Sequence, residues 1–132
     1  MIGMKVELIT IPVRDVDRSK VFYTQVMGFV ADVDVCPSAG VRVVQVTPPG
    51  SACSIGFGEG LAVYTSLSPG LMNGIHIVVP DIQQASAELS GRGAQITPVI
   101  DVGGGVKYAE ITDPDGNTLL LQEMSWRTGE KF

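Results

Sequence analysis

The sequence predicts an α+β protein made of two tandem copies of one β-α-β-β-β unit. Three observations support this prediction: an internal repeat, alternating branched residues at the start of each copy, and a proline-glycine turn near the end of each copy. Sliding the 132-residue chain by 66 positions places Ile9 on Ile75, Asp15 on Asp81 and Pro48 on Pro114. Because one offset matches both the front and the back of the two halves, a duplicated unit is the best interpretation.

Each copy is expected to begin with a strand and a helix. Branched apolar residues alternate along both first strands, which is typical of a strand with one face packed on helices. Asp15 and Asp81 follow these strands at positions suited to helix N-caps, and glycines lie where the helices should end. The predicted bounds are about 4–13 and 74–80 for the strands, and about 16–27 and 82–91 for the helices.

Three more strands complete each predicted copy. The turn motifs TPPG at 47–50 and DPDG at 113–116 should join the last two strands of each copy as hairpins. The predicted strands are about 30–35, 41–47 and 52–57 in the first copy, and about 95–100, 106–112 and 118–124 in the second. We therefore expect two modules, about 4–57 and 74–124, with residues 58–73 as a connector.

Composition and charge narrow the possible partners. Hydrophobic residues make up 45% of the chain, which argues against disorder, and the formal net charge is −5. An acidic chain repels phosphate backbones and anionic lipids, so we expect no nucleic-acid partner and no membrane partner. Two cysteines, Cys36 and Cys53, are too few for a disulfide framework, which favours a reducing, cytoplasmic location.

The order of these motifs resembles that of the vicinal oxygen chelate superfamily, which includes glyoxalases, bleomycin-resistance proteins and extradiol dioxygenases. The resemblance covers nearly the whole chain, and the closing hairpin is its most specific part. The motifs that carry it are VRD at 13–15 with FYTQVMGF at 22–29, VPDI at 79–82 with AELSGRGAQI at 87–96, and DPDGNTLLLQE at 113–123.

The resemblance implies one domain over residues 1–132, in which the curved sheets of two modules form a cup around a small-molecule site. It also implies a homodimer, since relatives commonly bury sheet edges and helix faces in a two-fold interface. It does not imply one activity, because the same fold hosts metal enzymes and metal-free binding proteins.

In the metal-using relatives, the ligands come from the first and last strands of each module. Counting seven residues back from Asp15 and Asp81 places the first-strand positions at Leu8 and Gly74. The corresponding last-strand positions are Ser54 and Leu120. None of these four residues offers a carboxylate, an imidazole or a thiolate, so we expect no metal and no cofactor.

Strand alternation predicts which residues line the cup, on the face opposite the isoleucine-rich one. If residues of the closing hairpin pair so that their numbers sum to about 230, Glu110 lies across from Leu120 and Tyr108 across from Gln122. Apolar walls with a few directional polar groups are typical of small-molecule pockets. The predicted ligand-binding residues are Leu8, Thr10, Ser54, His76, Tyr108, Glu110, Leu120 and Gln122.

His76, the only histidine, and Glu110 are the candidate catalytic groups. His76 contacts a ligand or acts as an acid or base tuned by Glu110, or it ligates a weakly bound cation, or else it is an ordinary strand histidine bonded to a neighbour. Glu110 either faces the site or forms a salt bridge at the rim of the cup. The sequence leaves these alternatives open.

Two functions therefore remain. The first is a metal-independent protein that binds or sequesters a hydrophobic organic molecule. The second is a lyase, isomerase or dioxygenase that uses a displaced divalent metal or the acid-base groups His76 and Glu110. The absence of a donor set at the family's ligand positions favours the first, so whether the chain is an enzyme stays open.

Overall fold

The computed structural model describes residues 2–132 and shows a mixed α+β protein with two sheets and few helices. The chain divides into two compact units, Met1–Leu71 and Met72–Phe132. The elements of the first unit are β1 (Leu8–Thr10), α1 (Val16–Val21), a π-helical turn (Phe22–Val26), β2 (Val30–Ser38), β3 (Val41–Thr47), β4 (Ser54–Glu59) and α2 (Ala62–Thr65).

The first unit contains a four-stranded sheet in the order β1-β4-β3-β2. β1 is parallel to β4, and the other neighbouring strands are antiparallel. One face of this sheet is buried: Val44 and Val46 on β3 alternate with half-buried residues, and Ile55 and Phe57 on β4 are buried on the same face. The buried Tyr23 ring, from the π-helical turn, lies 5.8 Å from the Phe57 ring and joins the helical segment to this face.

The second unit repeats this plan with β5 (Ile75–Val78), α3 (Ile82–Gly91), β6 (Gln95–Ile96), β7 (Ile100–Gly103), β8 (Val106–Thr112), β9 (Thr118–Met124) and a final 3-10 turn (Gly129–Lys131). Its sheet has the order β5-β9-β8-β6, and β7 also pairs with β8. β5 is parallel to β9, and the other pairs are antiparallel.

Helix α3 covers one face of the second sheet. At the centre of that face, Ile111, Leu119 and Leu121 are almost completely buried. The Asp81 carboxylate accepts a hydrogen bond from Gln84 N at 3.1 Å and caps the helix. Glu123 Oε1 accepts from Ile82 N at 3.0 Å, so β9 also satisfies one of the free donors at the start of α3.

The turn before β9 is held by buried polar side chains. Asp113 Oδ1 accepts from the backbone N of Asp115 and of Asn117, each at 2.9 Å, while Asp113 Oδ2 accepts from Asn117 Nδ2 at 3.0 Å. These bonds explain why the DPDG motif makes a tight hairpin. The hairpin fixes the pairing of β8 with β9.

Several predicted bounds are confirmed, and others are wrong. Strands 41–47, 106–112 and 118–124 and helix 82–91 occur as predicted. The predicted strand 4–13 is only Leu8–Thr10. Pro98 interrupts the predicted strand 95–100, which becomes β6 and β7. Residues 58–73, predicted as a connector, contain the end of β4 and the short helix α2.

None of the helices within residues 2–132 is long and apolar enough to cross a membrane.

Candidate functional site

We call the face of each sheet that is turned away from α1 in the first unit, and from α3 in the second unit, the far face. In the second unit, the far face carries five of the predicted site residues. The hairpin pairing is confirmed: Tyr108 lies opposite Gln122, and Glu110 opposite Leu120. On the other side of β9, His76 lies beside Leu120. Strand pairing therefore places His76, Leu120 and Glu110 in one row, and Gln122 and Tyr108 in the next row.

The best-defined contact on this face joins His76 to Gln122. His76 Nδ1 lies 2.9 Å from Gln122 Oε1, which links β5 to β9 diagonally across the two rows. His76 is exposed and Gln122 is half-buried. Gln122 is therefore the side chain that orients the only histidine of the chain.

Glu110 forms no hydrogen bond that orients His76 within residues 2–132. In the row His76, Leu120, Glu110, the leucine separates the imidazole from the carboxylate. Two strand spacings amount to about 9.6 Å between the backbones of β5 and β8. The hypothesis that Glu110 tunes His76 directly thus has no hydrogen bond to support it within residues 2–132, while the backbone N of Glu110 donates to Thr97 Oγ1 at 2.8 Å.

In the first unit, the far face carries the remaining three predicted residues. Leu8 lies beside Ser54 and Thr10 beside Gly56, where β1 and β4 pair. A Cβ added to Gly56 would lie 3.0 Å from Leu8 Cδ1, so the leucine side chain covers this glycine. Leu8 is therefore the apolar side chain of this part of the face.

A chain of hydroxyl groups lies next to it. Thr47 Oγ1 donates to the carboxylate of Asp32 and lies 2.6 Å from Ser54 Oγ. Because a hydroxyl has one proton and a carboxylate only accepts, the Ser54 hydroxyl donates to Thr47. The oxygen of Ser54 then has only acceptor capacity left.

The two sheets differ in how their first strand pairs with the last. Ser54 follows its partner Leu8 by 46 residues, whereas Leu120 follows its partner His76 by 44. The repeat offset applied to the pair Leu8 and Ser54 would set Gly74 beside Leu120, whereas His76 lies there. The parallel pairing is shifted by two residues, which preserves the face and changes the neighbour.

Neither unit offers a donor set for a divalent metal at these positions. Leu8 and Ser54 of the first unit supply one hydroxyl, and His76 and Leu120 of the second supply one imidazole, whereas such a site needs several nitrogen, oxygen or thiolate donors. Within residues 2–132, no three His, Cys, Asp or Glu side chains come together in a ligand arrangement.

Sequence reasoning missed three residues next to the far face of the first sheet. Asp32 lies where the pairing of β2 with β3 is irregular, so alternation could not place it. Thr47 was interpreted only as the start of a turn.

Tyr64 of α2 lies over Gly58, where an added Cβ would be 2.7 Å from Tyr64 Cε2. Burial raises the pKa of the Tyr64 phenol. The glycines at every second position, 56, 58 and 60, were the sequence signal that another group approaches this strand closely.

Comparison with known families agrees with this architecture. A model of the Glyoxalase/Bleomycin resistance protein/Dioxygenase superfamily matches residues 5–121. The chain belongs to this superfamily. The fold predicted from the motif order is therefore confirmed. No functionally curated protein matches the sequence significantly.

Solved structures of the superfamily resemble the chain over almost its whole length. An antibiotic binding protein, TnmS3 from Streptomyces sp. CB03234, is 28% identical with a TM-score of 0.81, over 95% of this chain and 99% of that one. A member from Sphaerobacter thermophilus DSM 20745 is 31% identical with a TM-score of 0.80, over 92% and 98%. A glyoxalase/bleomycin resistance protein from the same Streptomyces strain is 27% identical with a TM-score of 0.74, over 89% and 98%.

Proposed function

We propose that the protein binds a hydrophobic organic small molecule without a metal, on the far face of its second sheet. The residues proposed to contact the ligand are His76, Tyr108, Glu110, Leu120 and Gln122. The far face of the first sheet, with Leu8, Thr10 and Ser54, is a second surface for the same class of ligand. The observation that carries the proposal is the hydrogen bond between His76 and Gln122 beside an apolar leucine.

The chemistry of this face supports the proposal. Small-molecule sites combine apolar area with a few polar groups of fixed direction. Leu120 and the Tyr108 ring supply apolar area, and the hydrogen bond to Gln122 fixes the direction of the imidazole. TnmS3, the 28% identical structure, is described as an antibiotic binding protein, which is consistent with an organic ligand for this chain too.

We propose metal independence because the chain offers too few metal-ligating side chains at the positions that the metal-using relatives employ. The second unit offers a single imidazole, and the Ser54 hydroxyl of the first unit is already bonded to Thr47, so neither holds a structural or catalytic divalent ion tightly. The enzyme alternative would need a metal bound elsewhere, or acid-base work by His76 and Glu110, which the row geometry keeps apart.

Isothermal titration with a panel of planar aromatic compounds, beginning with 2-naphthol and with EDTA present, tests the proposal. Replacing His76→Ala should weaken binding about fivefold to tenfold, the loss of one hydrogen bond, and Glu110→Gln, which still offers an acceptor oxygen, should weaken it less. Gln83→Ala, an exposed change on α3, is the matched control and should bind like the unchanged protein. If no compound binds, or if the control weakens binding as much, the proposal fails.

Metal analysis tests the second half of the proposal. Protein purified without added metal should hold far less than one Zn, Fe, Ni or Mn ion per chain. Added Mn²⁺, Fe²⁺, Ni²⁺ or Zn²⁺ should leave the thermal unfolding temperature unchanged, whereas specific binding at a hundredfold excess over Kd would add about 2.7 kcal/mol. One tightly bound ion ligated by His76 would contradict metal independence and support an enzyme.

We also propose a cytoplasmic homodimer of single-domain chains. Ile2, Met4 and Val6 alternate on the segment before β1 and are 67–82% exposed, which favours burial against a partner. Cys36 and Cys53 are free thiols, which is consistent with a reducing location. Analytical ultracentrifugation should give twice the chain mass, and Met4→Lys should shift the protein towards monomer. A monomeric unchanged protein would contradict the dimer.

A further inference from the structure

The hydrogen bond between His76 and Gln122 determines which ring nitrogen carries the proton. A neutral imidazole has one nitrogen that donates and one that accepts, and the partner of one nitrogen decides the state of the other. The partner of His76 Nδ1 is Gln122 Oε1, at 2.9 Å, and an amide oxygen only accepts. With the amide oxygen of Gln122 facing the ring, Nδ1 is the nitrogen that carries the proton.

Nε2 is then left with a lone pair. Within residues 2–132, no protein group donates to Nε2, and His76 is exposed. A neutral imidazole in this state presents an acceptor to any molecule on the far face of the second sheet.

Glu110, at the other end of the row, is also a hydrogen-bond acceptor. An ionised Glu110 carboxylate accepts hydrogen bonds and donates none. It lies on the opposite side of Leu120 from His76, with about 9.6 Å between the outer strands. Two acceptors thus flank one apolar side chain.

We infer that Gln122 is a specificity-determining residue: it locks His76 in the Nδ1-protonated form, so that this face selects ligands carrying a hydrogen-bond donor on an apolar ring system. Phenols, aromatic amines and anilides belong to this class, whereas aryl ethers and ketones do not. The selection of a ligand rests on the function proposed above, but the state of the imidazole does not. Gln122 acts through His76 and is a positioning residue.

The state of the imidazole can be measured without any ligand. His76 is the only histidine, so a long-range ¹H–¹⁵N spectrum contains the signals of a single ring. At about pH 8.5 a histidine side chain is neutral, and the spectrum should show Nδ1 protonated and Nε2 unprotonated. A ring protonated at Nε2 in the unchanged protein would overturn the inference, whether or not the protein binds small molecules.

Variants separate the role of Gln122 from a merely structural one. Gln122→Met removes the acceptor and should release Nδ1, giving a mixture of forms or the form protonated at Nε2. Gln122→Glu retains an acceptor and should keep Nδ1 protonated. Gln45→Met, on β3 of the first unit, is the matched control and should leave the spectrum unchanged. The Nδ1-protonated form persisting in Gln122→Met would contradict the assignment.

Ligand selectivity is then tested with two probes that differ in one group. At about pH 7.5, 2-naphthol should bind about fivefold to tenfold more tightly than 2-methoxynaphthalene, the contribution of one hydrogen bond. Gln122→Met should reduce this ratio to about twofold or less. Equal affinities, or tighter binding of the ether, would overturn donor selection while leaving the proposed binding function intact. Failure of both probes to bind would contradict the binding function and donor selection together.

Discussion

The two sheets of this protein have the same plan and different far faces. Both place a parallel first strand beside the last strand, and both bury an apolar face under a helix. The far face of the first sheet offers a leucine, a glycine and a bonded hydroxyl, whereas that of the second offers an imidazole, an amide and a carboxylate. The comparison shows that packing requirements act on one face of each sheet and leave the other face available for chemistry.

The two units also fasten their helices differently. In the first unit, Arg42 on β3 bonds Asp34 on β2 at 3.0 Å and Asp17 of α1 at 2.6 Å, while Lys20 lies 2.7 Å from Asp34. In the second unit, the start of α3 bonds Glu123 on β9 through Ile82 N at 3.0 Å. The first unit therefore joins its helix to the sheet through a network of ion pairs at the surface, whereas the second unit uses a hydrogen bond from the helix backbone to a strand side chain.

The largest expected effect comes from the helix-facing isoleucines. The repeat alone predicts equal losses of about 2–5 kcal/mol for Ile11→Ala and Ile77→Ala. The structure makes them unequal: Ile11 is 1% exposed and Ile77 is half-buried. We expect about 2–5 kcal/mol for Ile11→Ala and about 1–2 kcal/mol for Ile77→Ala, measured by urea unfolding. Equal losses would show that the two faces are packed alike, and near-neutral effects for both would contradict the strand faces described here.

A pair of glycines gives the next largest contrast. A Cβ at Gly58 would lie 2.0 Å from the Arg42 carbonyl oxygen, while a Cβ at Gly74 would meet nothing within 4 Å. Gly58→Ala should cost about 1–3 kcal/mol because backbone must move. Gly74→Ala should be neutral or stabilise the fold by up to about 1 kcal/mol through the unfolded chain. The reverse order in thermal unfolding would contradict the close approach of β3 to β4.

The smallest expected effect concerns the charged network of the first unit. The hydrogen bond from Arg42, and then that from Lys20, hold the pKa of the Asp34 carboxyl well below its usual range. A carboxyl with a lowered folded-state pKa stabilises the protein above its unfolded value of about 3.9, and that stabilisation is lost as the pH falls through the folded value.

Asp34→Asn should therefore cost about 1 kcal/mol or less at pH 7, because partly exposed ion pairs are weak. The difference from the unchanged protein should shrink at acidic pH and in high salt. Glu59→Gln, an exposed change on β4 of the same unit, is the control and should show neither dependence. A constant difference across the acid range would contradict the ionic origin of the effect.

Most of the fold could be predicted because its signals are local. The motif DPDG fixed the closing hairpin, and Asp81 marked the start of α3, so bounds and pairing there agree with the structure. One error came from a proline within an apolar run. Pro98 divides the predicted strand 95–100 into β6 and β7, although the hydrophobic pattern continues past it.

The neighbours of His76 were harder to predict, for a physical reason. A one-residue slip would move a strand's side chains to the other face, which alternation detects, but a two-residue slip leaves every face unchanged. Hydrophobic patterning therefore identified the face of His76 and could not tell whether it or Gly74 lies beside Leu120. The bond to Gln122 follows from the pairing of parallel strands, which no local motif encodes.

The central claim is that an organic ligand binds the far face of the second sheet without a metal. Mapping amide chemical-shift changes in ¹⁵N-labelled protein during titration with 2-naphthol, in EDTA, tests it most directly. The account predicts saturable changes concentrated at His76, Glu110 and Leu120, with α3 unaffected. Changes centred on α3, changes that require an added divalent metal, or no saturable change at all would contradict it.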